Sequence, residues 1–127
     1  MIEKLVEIGT LFEFYGKLLS EKQYQVVELY YIHDFSLGEI GDELNVTRQG
    51  IFDLLRRAEQ KLYQYEENLG LVRKFFNSHA DIRNIIDITE DIIKIAKEKD
   101  NDEIQEKALI INKISKRILD NSLEVVD

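Results

Sequence analysis

The stretch from Ser36 to Ala58 constrains the fold of this chain more than any other part, because it is typical of two short helices joined by a tight turn. Ser36 and Glu39 match a capping box, in which each side chain accepts a hydrogen bond from the other residue's backbone N–H. Thr47 is placed to cap the second helix, and each such cap contributes about 1 kcal/mol. Two capped starts so close together predict a helix-turn-helix.

The apolar residues of this stretch fall on one side of each predicted helix. They are Leu37, Ile40 and Leu44 on the first helix, Val46 in the turn, and Ile51, Leu54, Leu55, Ala58 and Leu62 on the second. Spacings of three and four residues bring side chains onto one helical face. We therefore expect the two helices to pack through these faces.

Two glycines fit such a tight arrangement. Gly41 falls where the two helices would cross, and a close approach there would offset roughly 1 kcal/mol of helix propensity lost relative to Ala. Gly50, near the start of the second helix, is expected to leave room for a closely approaching backbone.

The other side of the second predicted helix carries the candidate contact residues. At 100° per residue, Gln49, Asp53, Arg56 and Gln60 lie opposite the apolar stripe. In a docked helix-turn-helix, the start of the second helix meets base edges while flanking cations meet phosphates. The sequence therefore predicts a nucleic-acid contact face made of Thr47, Arg48, Gln49, Asp53, Arg56, Arg57, Gln60 and Lys61.

Charge opposes tight binding at this face. Residues 1–70 carry seven basic and thirteen acidic side chains, a net charge of −6, and the whole chain has a net charge of −8. Sequence-independent affinity for nucleic acid comes mostly from Lys and Arg at phosphates. Any such binding is expected to be weak, and helix pairs of this geometry also occur in bundles that never touch nucleic acid. Asp53 in the face could accept from a cytosine amino group.

Composition excludes several other classes of protein. The 127 residues include no Cys, which removes disulfides, thiol nucleophiles and zinc ribbons. No segment resembles a signal peptide, and no apolar run approaches ~18 residues. We expect a soluble, cytoplasmic protein without a membrane-surface role, because clusters of Lys and Arg that attract anionic lipid are missing.

The remaining sequence also predicts helices, giving an all-α fold. Residues from Ile2 to Leu19 fit one long amphipathic helix, and Ser20 with Gln23 forms a second capping box before a helix that ends around His33 and Asp34. The second helix of the motif is expected to stop at Gly70. Gly70 then divides the chain into a helix-turn-helix domain, 1–70, and a C-terminal extension, 71–127.

The extension reads as a helical hairpin rich in isoleucine. Ser78 is a candidate cap for its first helix, Asp100-Asn101-Asp102 breaks the chain, and Ile104 to Ile118 mark its second helix. Two isolated helices of this kind would leave apolar faces uncovered. They should pack on the N-terminal half or on a second copy, and we expect a homodimer.

Catalytic and metal-binding interpretations find little support in the sequence. His33 and His79 are far apart, so each reads as a solvated histidine at a helix end. Asp100-Asn101-Asp102-Glu103 lacks the glycine and spacing of a calcium loop and reads as a turn and helix cap. Glu59, Glu66 and Glu67 read as a solvated charged face. The sequence predicts no enzyme, no metal and no cofactor.

The first 75 residues or so resemble a known family. Leu19-Ser20-Glu21-Lys22-Gln23, Leu29-Tyr30-Tyr31, the Ser36–Ala58 motif and the run from Tyr65 to Leu71 are similar to the YlxM-type helix-turn-helix proteins of bacteria. Glu39-Ile40 and Val46-Thr47-Arg48-Gln49 also resemble region 4 of primary sigma factors, which reads the −35 promoter element. Arg48-Gln49-Gly50, Phe52-Asp53 and Leu69-Gly70-Leu71 favour the YlxM type.

The resemblance implies a sigma region 4-like fold in a small regulatory protein. It also implies a link, through gene neighbourhood, to the signal recognition particle, with contacts to its GTPase, its RNA or its receptor. Two functions stay open: a regulator that binds DNA or the particle's RNA, or a protein-binding accessory factor that presents an acidic surface to a basic partner. The last 50 residues depart from the family pattern.

Overall fold

The computed structural model describes the backbone from Ile2 to Val126 and the side chains of residues 3–121. The described chain is helical throughout, with short connections and no strand, which confirms the predicted all-α class. It forms two compact units, Met1–Val72 and Arg73–Asp127. The helices are α1 (Ile2–Tyr15), α2 (Glu21–Val27), α3 (Leu37–Leu44), α4 (Arg48–Leu69), α5 (Leu71–Glu98) and α6 (Asp102–Val126).

The first predicted helix ends earlier than the sequence suggests. α1 stops at Tyr15, and Gly16–Leu18 form one 3₁₀ turn before the extended Leu19. The Gly16 position is tight, because a Cβ there would lie 3.0 Å from the Phe12 ring. The capping box of Ser20 and Gln23 then opens α2 as predicted.

α2 does not end as a regular α-helix but passes into a π-helical segment, Glu28–Ile32. A π-helical turn widens the coil by one residue and so rotates the side chains that follow it. The segment ends at the exposed His33, and Asp34 adopts a left-handed φ of 58°. The predicted end of this helix and the predicted helix-end position of His33 are both confirmed.

The core of the first unit gathers residues from every helix of that unit. α4 packs against α1, α2 and α3. The fully buried side chains include Ile8 and Tyr15 of α1, Val26 of α2, Ile40 of α3 and Ile51 of α4. Leu55, Ala58 and Leu62 are buried too, while Leu37, Leu44, Val46 and Leu54 pack partly buried against them, so the predicted apolar stripe is confirmed.

The second unit is a hairpin of two long helices. Asp100 adopts a left-handed φ of 50°, and the Asn101 side chain accepts the Ile104 N–H at 3.1 Å, which confirms the predicted break and cap. Ser78 is not a cap, because α5 already begins at Leu71 and runs through it. No helix in the described part of the chain is long and apolar enough to cross a membrane.

Candidate nucleic-acid interface

The turn between α3 and α4 is three residues long and fixed at both ends. Asn45 closes α3 in the left-handed conformation, with a φ of 55°. The Thr47 hydroxyl accepts the Gly50 N–H at 3.0 Å and so caps α4. The Ser36–Glu39 capping box opens α3, and its hydrogen bonds, first from the Ser36 backbone, lower the pKa of the Glu39 carboxyl. Both caps that the sequence predicts for this motif, at Ser36 and at Thr47, are therefore present.

Gly41 and Gly50 of the motif both occupy tight positions, for reasons that differ from the predicted ones. A Cβ on Gly41 would lie 2.5 Å from the Val46 carbonyl oxygen, so the close approach is made by the turn backbone rather than by a helix crossing. A Cβ on Gly50 would lie 2.7 Å from the Val46 side chain. The space beside Gly50 is already filled by the turn and is not left for a ligand backbone.

The outward side of α4 is exposed along its whole first half. Gln49, Asp53, Arg56 and Gln60 are all exposed, opposite the buried Ile51 stripe. Asp53 Oδ1 accepts from Gln49 Nε2 at 3.3 Å, one helical turn away. The amide of Gln49 therefore covers part of the negative charge of Asp53 within the face.

The flanking cations are not equivalent. Arg48, Arg56 and Arg57 are exposed, and within the described residues none of them forms an ion pair. Lys61 Nζ instead donates to Gln23 Oε1 of α2 at 3.3 Å, which directs it toward α2. The structure thus brings the arginines, Gln49, Asp53 and Gln60 together on one surface and sets Lys61 at its edge.

An apolar groove beside this face was not predicted from the sequence. It has a volume of about 520 Å³ and is lined by residues of α1, the π-helical segment, α3 and α4: Lys4, Leu5, Tyr30, Tyr31, Leu37, Phe52, Leu55, Arg56, Glu59, Gln60 and Tyr63. Phe52 and Leu5 are nearly half exposed at its mouth. Arg56 and Gln60 belong to both surfaces, so the groove adjoins the predicted contact face.

Glu59 forms the polar floor of the groove. Its side chain is 14% exposed, accepts from the Tyr31 hydroxyl, and lies 3.4 Å from Lys4 Nζ. Burial raises the pKa of the Tyr31 hydroxyl, and the hydrogen bond to Glu59 raises that pKa further. Glu59 is therefore not part of a solvated face, contrary to the prediction.

Glu66 is likewise not solvated. Its Oε1 accepts from the Tyr15 hydroxyl at 2.5 Å and from the Val72 N–H at 3.0 Å, while Tyr15 accepts the Leu71 N–H. Tyr15 and Glu66 thereby bind the first two N–H groups of α5. These hydrogen bonds explain why α5 begins at Leu71 rather than at Ser78. Glu67 is exposed, as predicted.

The two histidines also differ in their exposure. His33 is exposed, whereas His79, inside the first third of α5, is 8% exposed. The His79 ring lies 4.2 Å from that of Phe75, and its Nε2 has no hydrogen-bond partner among the described residues. The prediction of a solvated helix-end residue is therefore wrong for His79. No group of three or more His, Asp and Glu side chains in the described ranges could hold a metal ion.

The sequence matches one protein family over residues 2–110. The family is described as "Putative helix-turn-helix protein, YlxM / p13 like". The chain belongs to this family. The match covers all of α1 to α5 and the first part of α6, so both units contribute to membership.

The family is also called UPF0122, and similar proteins of other bacteria carry this name. The chain is 43% identical to a UPF0122 protein of Thermoanaerobacter sp. over 108 residues, which are 85% of this chain and 87% of that protein. It is 35% identical to a UPF0122 protein of Acetivibrio thermocellus over 126 residues, 99% of both chains. It is also 48% identical to one of Listeria innocua over 75 residues, 59% of this chain and 68% of that protein. No solved structure matches the chain.

Proposed function

We propose that this helix-turn-helix protein is a regulator that contacts nucleic acid, either DNA or the RNA of the signal recognition particle, through the outward face of α4. One observation carries the proposal: Arg48, Arg56 and Arg57 are exposed around Gln49 and form no ion pair within the described residues. Guanidinium groups suit phosphate and guanine edges. Arginines without an ion pair can bind an incoming phosphate without first breaking one.

The geometry at the start of α4 supports the same role. Thr47 fixes the N-terminus of α4 and the left-handed Asn45 fixes its angle to α3, so Gln49 and Arg48 stand on a rigid first turn. In helix-turn-helix proteins this turn enters the major groove. The signal recognition particle enters the proposal only through the resemblance of the first 75 residues to YlxM-type proteins.

The charge of the first unit sets the expected strength. With a net charge of −6 over residues 1–70, long-range repulsion opposes the three arginines. Binding should therefore be weak and should fall as salt is raised, since the contacts that hold it are those to phosphate.

The test is a salt titration of binding to a fluorescent DNA duplex and to the particle's RNA. The double substitution Arg56→Ala with Arg57→Ala should weaken binding and lower the slope of log affinity against log salt by about 0.9 for each duplex phosphate that the arginines no longer neutralise. Lys17→Ala with Lys22→Ala is the matched control, because it removes the same charge from exposed positions outside α4. Equal effects of the two double substitutions would show that only the net charge matters and would contradict a contact face on α4. The absence of binding by the wild-type protein at low salt would also reject the proposal.

A second candidate function is favoured by the groove. Exposed Leu5, Phe52 and Tyr63 around an apolar cleft are typical of a surface that receives a partner's side chain. A basic partner would also fit the acidic charge, and the resemblance to YlxM-type proteins suggests the particle's GTPase or its receptor. In this case Phe52→Ala, not the arginine pair, should abolish binding of the purified GTPase, and nucleic acid should not bind.

A further inference from the structure

We infer that the hairpin of α5 and α6 is the contact surface for a second copy of this chain, with α5 of each copy lying against α6 of the other. This inference does not depend on the proposed function. It begins with the most deeply buried side chains of the seam between the two helices, which are small or polar. They are Thr89 and Ala96 of α5 and Ala108, Asn112 and Ser115 of α6, all buried.

No described isoleucine of the hairpin is fully buried: Ile82, Ile86, Ile92 and Ile93 are partly buried, and the others are exposed. Asn112 Nδ2 donates to Thr89 Oγ1 at 2.9 Å, so the small residues of the two helices face each other directly. Meanwhile Ile85, Ile88 and Ile95 of α5 and Ile104, Ile111 and Ile114 of α6 are each about half exposed. We call these six residues the isoleucine face. A helix pair normally buries its largest apolar side chains, so the pattern indicates that a further layer is required.

The two halves of the isoleucine face lie on the same side of the hairpin. On each helix the isoleucines are centred roughly 80° around the axis from the buried seam, in the same rotational sense. Because α5 and α6 run antiparallel, equal rotations on the two helices point to one common side. The isoleucines of this face recur at spacings of three and seven residues, as in helices that pack in a bundle.

A second copy fits this face better than an unrelated surface does. In a four-helix bundle each helix packs against two neighbouring helices, and two identical hairpins supply the four helices of such a bundle. Packing one isoleucine face on another about a two-fold axis makes an isologous interface that is complementary to itself.

The charges of α5 and α6 favour one pairing of helices between the two copies. Residues 84–91 of α5 carry three acidic side chains and no basic one, whereas residues 107–117 of α6 carry four basic side chains and no acidic one. In the described hairpin these segments form no ion pair with each other, and Lys107 pairs instead with Glu103 of its own helix. At 100° per residue, Asp91 of α5 and Lys107 of α6 lie beside the isoleucine face. Placing α5 against the partner's α6 brings these opposite charges to the same interface, while α5 against α5 would bring two acidic segments together.

The first test is the mass in solution by light scattering at about 100 μM, far above the dissociation constant of an ordinary stable interface. The wild-type chain of 15.0 kDa should have twice this mass. Ile111→Lys should halve the mass with helix content retained, and Ile88→Lys should do the same from the other helix. Leu109→Lys is the matched control, since Leu109 is exposed on the opposite side of α6 and its substitution should leave the dimer intact.

The second test determines the pairing of helices. The chain has no cysteine, so single substitutions give clean cross-links. Chains with Ile88→Cys, mixed with chains with Ile114→Cys, should form a disulfide heterodimer on oxidation, because these positions lie at the same level of α5 and α6. Disulfide homodimers of Ile88→Cys alone would overturn the pairing. A wild-type protein that stays monomeric would overturn the inference. If Ile111→Lys then lowers the unfolding free energy of that monomer, the isoleucine face is covered by the same chain and not by a second copy.

Discussion

Three tyrosine hydroxyl groups donate to carboxylates in the first unit, and each pair joins helices far apart in the sequence. Tyr15 binds Glu66, Tyr31 binds Glu59 and Tyr63 binds Glu7. Burial and the hydrogen-bonded carboxylate raise the pKa of each of these three hydroxyls. The three pairs therefore depend on protonated phenols, and the stability of the unit should change at alkaline pH.

The sign of this pH dependence follows from the direction of the shifts. The folded protein keeps protons that the unfolded chain loses near pH 10, so the three pairs contribute fully below about pH 10 and their contribution is lost as pH rises above it. We expect Tyr31→Phe to be less stable than wild type at pH 7, and this difference to shrink above pH 10. Urea unfolding from pH 7 to pH 11 measures it. A difference that stays constant across the range would contradict a role for the phenol proton.

At the scale of the elements, two helix glycines provide a matched pair of substitutions. Gly41→Ala gains helix propensity but places a Cβ against the Val46 carbonyl, and we expect a net loss of about 1–3 kcal/mol from overpacking. Gly9→Ala in α1 meets nothing within 4 Å and should gain roughly 0.5–1 kcal/mol. Denaturant melts of the two variants check both signs, and a stabilised Gly41→Ala would mean that the turn is loose.

The helix caps and the core stripe could be predicted because they are local. A cap depends on residues three apart, and a stripe on spacings of three and four, so the positions of Ser20, Ser36 and Thr47 suffice. The Ser78 prediction failed for the opposite reason. Ser78 looks like a cap in sequence, but the start of α5 is set by Tyr15, a residue more than fifty positions away.

At the scale of the whole molecule, the first unit should fold without the second. Every residue of its buried cluster lies before Val72, and Tyr15 and Glu66 bind the N–H groups of Leu71 and Val72. A chain of residues 1–72 should therefore unfold cooperatively by circular dichroism. A chain of residues 1–70 lacks both of these hydrogen bonds and should melt at a lower temperature. A gradual, non-cooperative melt of residues 1–72 would show that the second unit completes its core.

The groove and the isoleucine face were beyond sequence reasoning because each depends on how helices are combined. Phe52 could be placed beside Arg56 on α4, but its apolar neighbours Leu5 and Tyr30 come from α1 and the π-helical segment. The isoleucine stripes were visible in the sequence as apolar faces. The sequence did not show that the hairpin would bury Thr89 and Asn112 instead of these isoleucines.

The Thr89–Asn112 hydrogen bond also governs how far α6 can slide along α5. A shift by one heptad would bring Asn112 opposite Ile82 or Ala96, where no side chain can accept from its amide. A buried amide left without a partner costs about 1–3 kcal/mol. Small side chains alone would tolerate several alignments, so this one polar pair discriminates the native alignment from its neighbours by penalising slippage.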